Sequence, residues 1–274
     1  MHPLPPLVDP APSLGRDQYR RHSRQMLLGE LGQLGQRRLQ ASRVAVVGAG
    51  GLGSPVIQYL AAAGVGHLTV IDDDVVEISN LHRQVIHSSA DQGLPKVDSA
   101  ARAVHALDPE VDVSAVGARL TQDSVDAVLG GHDVVVDGTD NFPTRYLISD
   151  ACSRLGIPEV WGSVLGFDAQ VSVFWDALPP GSQDLGRTLR DLFPHPPAPG
   201  AVPSCAEAGV VGALCGQVGS VMAMEVVKLL TGIGQPLLGR VLVIDALSSD
   251  VTTLDFARAP RTPHSPAVQA PPSS

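Results

Sequence analysis

Asp72, Lys96, Asp140 and Cys205 are the side chains best placed in this sequence to meet a ligand, and a glycine turn precedes them all. The apolar run Arg43-Val44-Ala45-Val46-Val47 breaks into Gly48-Ala49-Gly50-Gly51-Leu52-Gly53, then into a helical pattern at Val56, Leu60 and Ala63. A strand that turns through glycines into a helix lets the backbone approach a bulky anion. The first helical turn adds unpaired N–H groups and the positive end of the helix dipole. The chemistry implied is capture of a nucleotide phosphate. Alone, G-x-G-x-x-G is a weak signature, and a tight strand-to-helix turn without a ligand is its plain alternative.

Asp72 ends the strand that begins at His67, about 20 residues past the glycines, where dinucleotide folds place an acid on a ribose. Asp73 and Asp74 follow it, and three adjacent carboxylates cannot all face one ligand. The stretch 77–84 is too polar for a core element and is expected to lie over the site. Lys96 opens an amphipathic helix with Val97, Ala100, Ala101, Val104 and Leu107 on one stripe. A lysine at a helix start opposes the dipole, and such local conflicts mark function. Gly138-Thr139-Asp140-Asn141 follows the strand 133–137, with Pro143 in the first turn of the next helix. Ligands of open α/β sheets sit at the carboxyl ends of strands, so Gly48–Gly53, Asp72 and Asp140 should meet there. Cys205 precedes a long apolar helix read from about Glu207 to Leu230, where the dipole would favour a thiolate.

These elements predict an α/β fold: a Rossmann-like nucleotide-binding half with parallel strands, continued by a partly antiparallel half of the same large sheet. The second half rests on the alternation of Val171, Val173 and Trp175 and on strands at 241–244 and 252–256, with Gly232 closing the long helix. Residues 16–258 read as a single domain. The prolines of 1–15 suggest a mobile lead-in, 176–204 a mobile Pro/Gly-rich excursion, and 259–274 a disordered tail. Arg16 to Gln40 is polar with helical apolar spacing, and its arginines, Arg24 among them, read first as a solvated face.

A formal charge of −9 over 274 residues argues against a non-specific nucleic-acid binder. Three cysteines, Cys152, Cys205 and Cys215, lack paired spacing, which fits a reducing, cytoplasmic setting. No leader pattern opens the chain. The most apolar stretch, 209–230, is interrupted by glycines, Glu225 and Lys228, as in a core helix rather than a membrane span. The histidines, including His82 and His87, have no metal-ligand spacing and read as structural.

Taken in order, Arg21-His22-Ser23-Arg24-Gln25, Gly48–Gly53, Leu68–Asp74, Ser79-Asn80-Leu81-His82-Arg83-Gln84, Gly93-Leu94-Pro95-Lys96, Asp137–Asn141 and Cys205–Val210 resemble the ThiF/MoeB/HesA family. Its members are bacterial relatives of ubiquitin-activating enzymes. They adenylate the C-terminal Gly-Gly of a ubiquitin-like sulfur-carrier protein. The resemblance implies ATP and Mg²⁺ as cofactors, with Gly48, Gly50, Gly51, Gly53, Asp72, Asp74 and Asn141 around the nucleotide. It further implies Asp72 on the ribose hydroxyls, Asn80, Arg83 and Lys96 on the phosphates, and Asp140 on Mg²⁺. Arg24 would reach the ATP of a neighbouring subunit in a homodimer. Cys205 would serve at most the later sulfur step, with a sulfurtransferase or cysteine desulfurase as further partner; neither nucleic acid nor membrane is implied. Other readings are an NAD-dependent oxidoreductase, a relative that activates a carboxylate on tRNA, and a non-catalytic scaffold.

One departure stands out. Many family members bind a structural zinc through two Cys-x-x-Cys pairs. Here Leu185 and Thr188 occupy the first pair's places, and no cysteine follows Leu254. Three cysteines cannot supply four thiolates, so no structural zinc is expected.

Overall fold

Val44 and Val46 are buried on one face of their strand, Ala45 and Val47 on the other, as an unbroken apolar run requires of a strand covered from both sides. That strand is β1 (Arg43–Val47) of an eight-stranded sheet in the computed structural model, which describes residues 4–179, 186–198 and 209–259. The others are β2 (His67–Ile71), β3 (Asp112–Val116), β4 (Val134–Asp137), β5 (Glu159–Leu165), β6 (Asp168–Phe174), β7 (Arg240–Asp245) and β8 (Asp250–Asp255). Their spatial order is β3-β2-β1-β4-β5-β6-β7-β8. Pairings from β3 to β5 are parallel and those from β5 to β8 antiparallel, so the expected fold class holds.

Among the described residues the α-helices are α1 (Arg16–Arg21), α2 (Gly32–Ala41), α3 (Gly53–Ala63), α4 (Lys96–Leu107), α5 (Val125–Leu129), α6 (Phe142–Leu155), α7 (Leu189–Leu192) and α8 (Gly212–Thr231). α2, α3, α4 and α8 cover the Val44/Val46 face; α5 and α6 cover the Ala45/Val47 face. α8 is long and apolar enough to cross a membrane, yet it packs on α3 and β5 with Val218, Met222, Val226 and Leu230 fully enclosed. It begins at Gly212, later than the sequence suggested, because Gly209 has φ +75° and Val211 is extended. Gly232 closes it at φ +77°, the expected left-handed cap.

Two proline-rich stretches lie closer to the core than expected. Residues 4–14 lack regular structure, but Leu4, Leu7 and Val8 pack on the core and the Leu7 N–H donates to Leu229 O at 3.2 Å. Within the excursion, Arg187 bridges Trp175, and α7 buries Leu189 beside Trp161 and Phe174. Thr188 and Asp191 form a reciprocal cap on α7, and the Ala259 N–H donates to Asp191 Oδ1 at 2.8 Å. Phe256 stacks edge-on against Phe174. Hydrogen bonds and aromatic packing thus join Thr188's segment to the end of β8. The tail after Ala259 and Leu185 lie outside the described residues.

Candidate active site

β1 leads outward to β2 and β3 on one side, and β4 and β5 lie on the other, so the chain reverses direction across the sheet between β1 and β4. Crevices open at such points beyond the carboxyl ends of the strands. A cleft lies there, floored by Val47, Ile71 and Gly138 and walled by Gly48, Gly50, Gly51, Asp72, Asp140 and Lys96.

The glycine turn is shaped by close backbone approach. Gly48 has φ +93°, and a Cβ there would meet Gly138 O at 3.1 Å. At Gly53 a Cβ would lie 1.8 Å from Gly48 O, so no other residue fits. Gly53 therefore closes the turn from behind, whereas Gly48, Gly50 and Gly51 line the cleft. Among the described residues, the N–H groups of Gly50, Gly51 and Leu52 find no acceptor. These are the orphan donors of a helix start.

Asp72 holds this turn. Its Oδ2 accepts from the Ala49 N–H at 2.7 Å and its Oδ1 from the Asp74 N–H at 2.9 Å. A carboxylate has about four lone-pair sites, so capacity is left for a ligand. The chain after β2 pairs with the segment before α4: the Val76 N–H donates to Leu94 O and the Lys96 N–H to Asp74 O. This pairing brings Lys96 into the cleft, where its Nζ donates to Asp74 Oδ2 at 2.8 Å. Arg83 enters from the polar stretch 77–84. Its guanidinium donates to Asn80 Oδ1 at 2.9 Å, so Asn80 braces Arg83 and does not itself line the cleft.

Across the cleft, the Asp140 carboxylate is exposed and has no ion-pair partner among the described residues. Asn141 Oδ1 caps α6 by accepting from the Thr144 N–H at 3.0 Å. Arg145, missed in the sequence, also lines the cleft. It is buried, donates twice to Thr139 O, and stacks on Phe142 and Trp161 with its Cζ 5.4 and 5.7 Å from the ring centres. Like Lys96, it is a cation in the first turns of a helix, so the same signal was present and unread. Arg119 also lines the cleft, paired with Asp73 at 3.2 Å. Behind Thr139, the enclosed Asp137 carboxyl is pushed up by burial and pulled back by Arg145 and Thr139. The neighbouring Glu159 is pushed well up by burial and then by Asp137.

A family model described as the ThiF family matches residues 22–265. The chain belongs to the ThiF family. It is 50% identical over 260 residues to "Probable adenylyltransferase/sulfurtransferase MoeZ" of Mycobacterium tuberculosis, covering 95% of this chain and 66% of that protein. It is also 50% identical over 248 residues to the "Sulfur carrier protein adenylyltransferase" of Thermus thermophilus, covering 90% of this chain and 91% of the relative. Among solved structures, E. coli MccB shares the fold at a TM-score of 0.76 and 20% identity, covering 87% of this chain and 72% of that one.

One further residue that the family resemblance brought forward, Arg24, is not in the cleft. Arg24 is exposed on the segment after α1, beside the outward-facing Leu27 and Leu28. His22 anchors that segment: it is buried against Gln18 and Asp108. Cys205 lies outside the described residues.

Proposed function

We propose that this chain is an ATP-dependent adenylyltransferase that activates the C-terminal Gly-Gly carboxylate of a ubiquitin-like sulfur-carrier protein. One observation carries the reading: Arg83, Lys96 and Arg145 converge with Asp140 on a cleft whose edge is a glycine turn with N–H groups that find no acceptor among the described residues. A dinucleotide oxidoreductase gives no purpose to Arg83, Lys96 and Asp140 together. The Thermus relative, with which this chain is nearly coextensive, is a sulfur carrier protein adenylyltransferase by name, which supports the substrate class.

In this reading the carrier carboxylate oxygen attacks the α-phosphorus of ATP, the bond to the bridging oxygen breaks, and pyrophosphate leaves with that electron pair. Little covalent chemistry falls to the protein, so its work is alignment and neutralisation of charge. The glycine turn receives the phosphates and Asp72 the ribose hydroxyls. Arg83, braced by Asn80, and Lys96 face the phosphate oxygens, with Lys96 exchanging Asp74 for one of them. The exposed carboxylate of Asp140, without an ion-pair partner among the described residues, suits a hard divalent cation; Mg²⁺ held there with phosphate oxygens would supply further charge neutralisation. Arg24, exposed and not lining its own cleft, serves the site of a second copy in a homodimer. Cys205 serves, if any step, the later transfer of sulfur, in which a sulfurtransferase or cysteine desulfurase takes part. The setting is the cytoplasm.

The test is ATP–pyrophosphate exchange with each Gly-Gly-tailed carrier of the same organism. Exchange that depends on one carrier is expected. Tight NAD binding without ATP binding, measured by calorimetry, would overturn the proposal.

A further inference from the structure

The His87 ring is buried and does not line the cleft, yet its two nitrogens join the two elements that bring phosphate-facing groups there. Nε2 lies 3.0 Å from Ala49 O. A carbonyl only accepts, so Nε2 carries the proton. Nδ1, 2.8 Å from Ser99 Oγ, then accepts from that hydroxyl. Ser99 sits one turn after Lys96 on α4. Burial, aided by the charge of Lys96, keeps the ring neutral against the opposing effect of its bond to Ala49.

Ala49 O and the Gly50 N–H belong to one planar trans peptide and point in opposite directions. Holding the oxygen on His87 therefore fixes the direction of the Gly50 N–H, which has no acceptor among the described residues and belongs to a residue lining the cleft. On the other side of Ala49, its own N–H is held by Asp72. Both peptides flanking Ala49 are thus clamped.

We propose that His87 is a positioning residue for nucleotide binding: it locks the Ala49–Gly50 peptide with the Gly50 N–H ready for a phosphate oxygen and, through Ser99, ties that turn to the helix of Lys96. This rests on the ATP reading of the cleft. It also gives His87 a part that its spacing in the sequence did not suggest.

The experiment compares wild type, His87→Leu, His87→Gln and Ser99→Ala in calorimetric binding of ATP and of adenosine, and in the KM and kcat of pyrophosphate exchange. Loss of one oriented donor predicts that His87→Leu raises the ATP Kd and KM about tenfold, with a smaller change in kcat. Adenosine, which lacks phosphates, should bind as to wild type. Glutamine retains an N–H donor and should restore ATP binding to within about threefold. Ser99→Ala, which frees the tautomer, should give an intermediate loss. If folded His87→Leu binds ATP as wild type does, or loses adenosine and ATP equally, the positioning role is wrong. Should His87→Leu not fold, unchanged ATP affinity in Ser99→Ala overturns the proposal. A wild type that binds no ATP overturns the reading of the cleft itself and the inference with it.

Discussion

The Lys96 ammonium lies 2.8 Å from the Asp74 carboxylate, although the lysine side chain is 5% exposed and the aspartate 65%. The buried member is therefore the fixed one, and its partner is free to yield to another anion. Lys96→Ala should lower pyrophosphate exchange by about 10²–10³-fold, the usual consequence of removing a charge-stabilising group. Asp74→Asn should cost far less. Circular dichroism on both variants, alongside the exchange assay, checks that only the chemistry has changed.

Arg24 is exposed and separate from its own cleft. If it completes the site of a second copy, mixing Arg24→Ala chains with Lys96→Ala chains should recover activity, because one site of each mixed dimer would hold both intact residues. Differently tagged chains allow the mixed dimer to be isolated. An inactive mixed dimer would remove Arg24 from the in-trans role.

Glu159 and Asp137 are enclosed side by side, with both oxygens of Glu159 and one of Asp137 lacking a hydrogen-bond partner among the described residues. Their carboxyls are raised above the ordinary range, chiefly by burial. The native state thus retains protons that the unfolded chain has released, and stability falls as pH rises from about 4.3 toward the raised native values. Glu159→Gln should flatten this dependence. At pH 8 it should be the more stable protein, because glutamine carries no carboxyl to be deprotonated in the enclosed site. Urea unfolding at pH 5 and pH 8 measures both slopes; parallel curves would contradict the assignment.

Asp191 caps Thr188's helix with one oxygen and accepts from the Ala259 N–H with the other. These contacts link the two segments that carry zinc ligands in other family members. Asp191→Ala should therefore destabilise the protein by about 1–2 kcal/mol, the usual cost of a lost cap and hydrogen bond. A chelator should leave the melting temperature of the wild type unchanged. Stoichiometric zinc that survives chelation would show that a metal does this work instead.

The strands and the glycine turn were legible in the sequence because their causes are local. An apolar run long enough for one strand, a turn that only glycine can make and a helix after it depend on neighbouring residues alone, and β1 with α3 follows the reading closely. Ordered motifs carried the family, which the match over residues 22–265 bears out. The proline-rich stretches were harder to read. Proline excludes helix and sheet interior, but it says nothing about packing, and Leu7 and Leu189 found the core.

Within the site, the sequence by itself determined which side chains carry charge and which turn can admit a phosphate, because both are properties of residue type and short spacing. Tertiary structure alone decided their partners. The pairing of the chain after β2 with the segment before α4 brings Asp74 to Lys96, and the packing of residues 83–88 across α4 brings His87 to Ala49 and Ser99. Contacts between residues 22 or 38 positions apart leave no periodicity along the chain, so they exist only once the sheet has set the elements side by side.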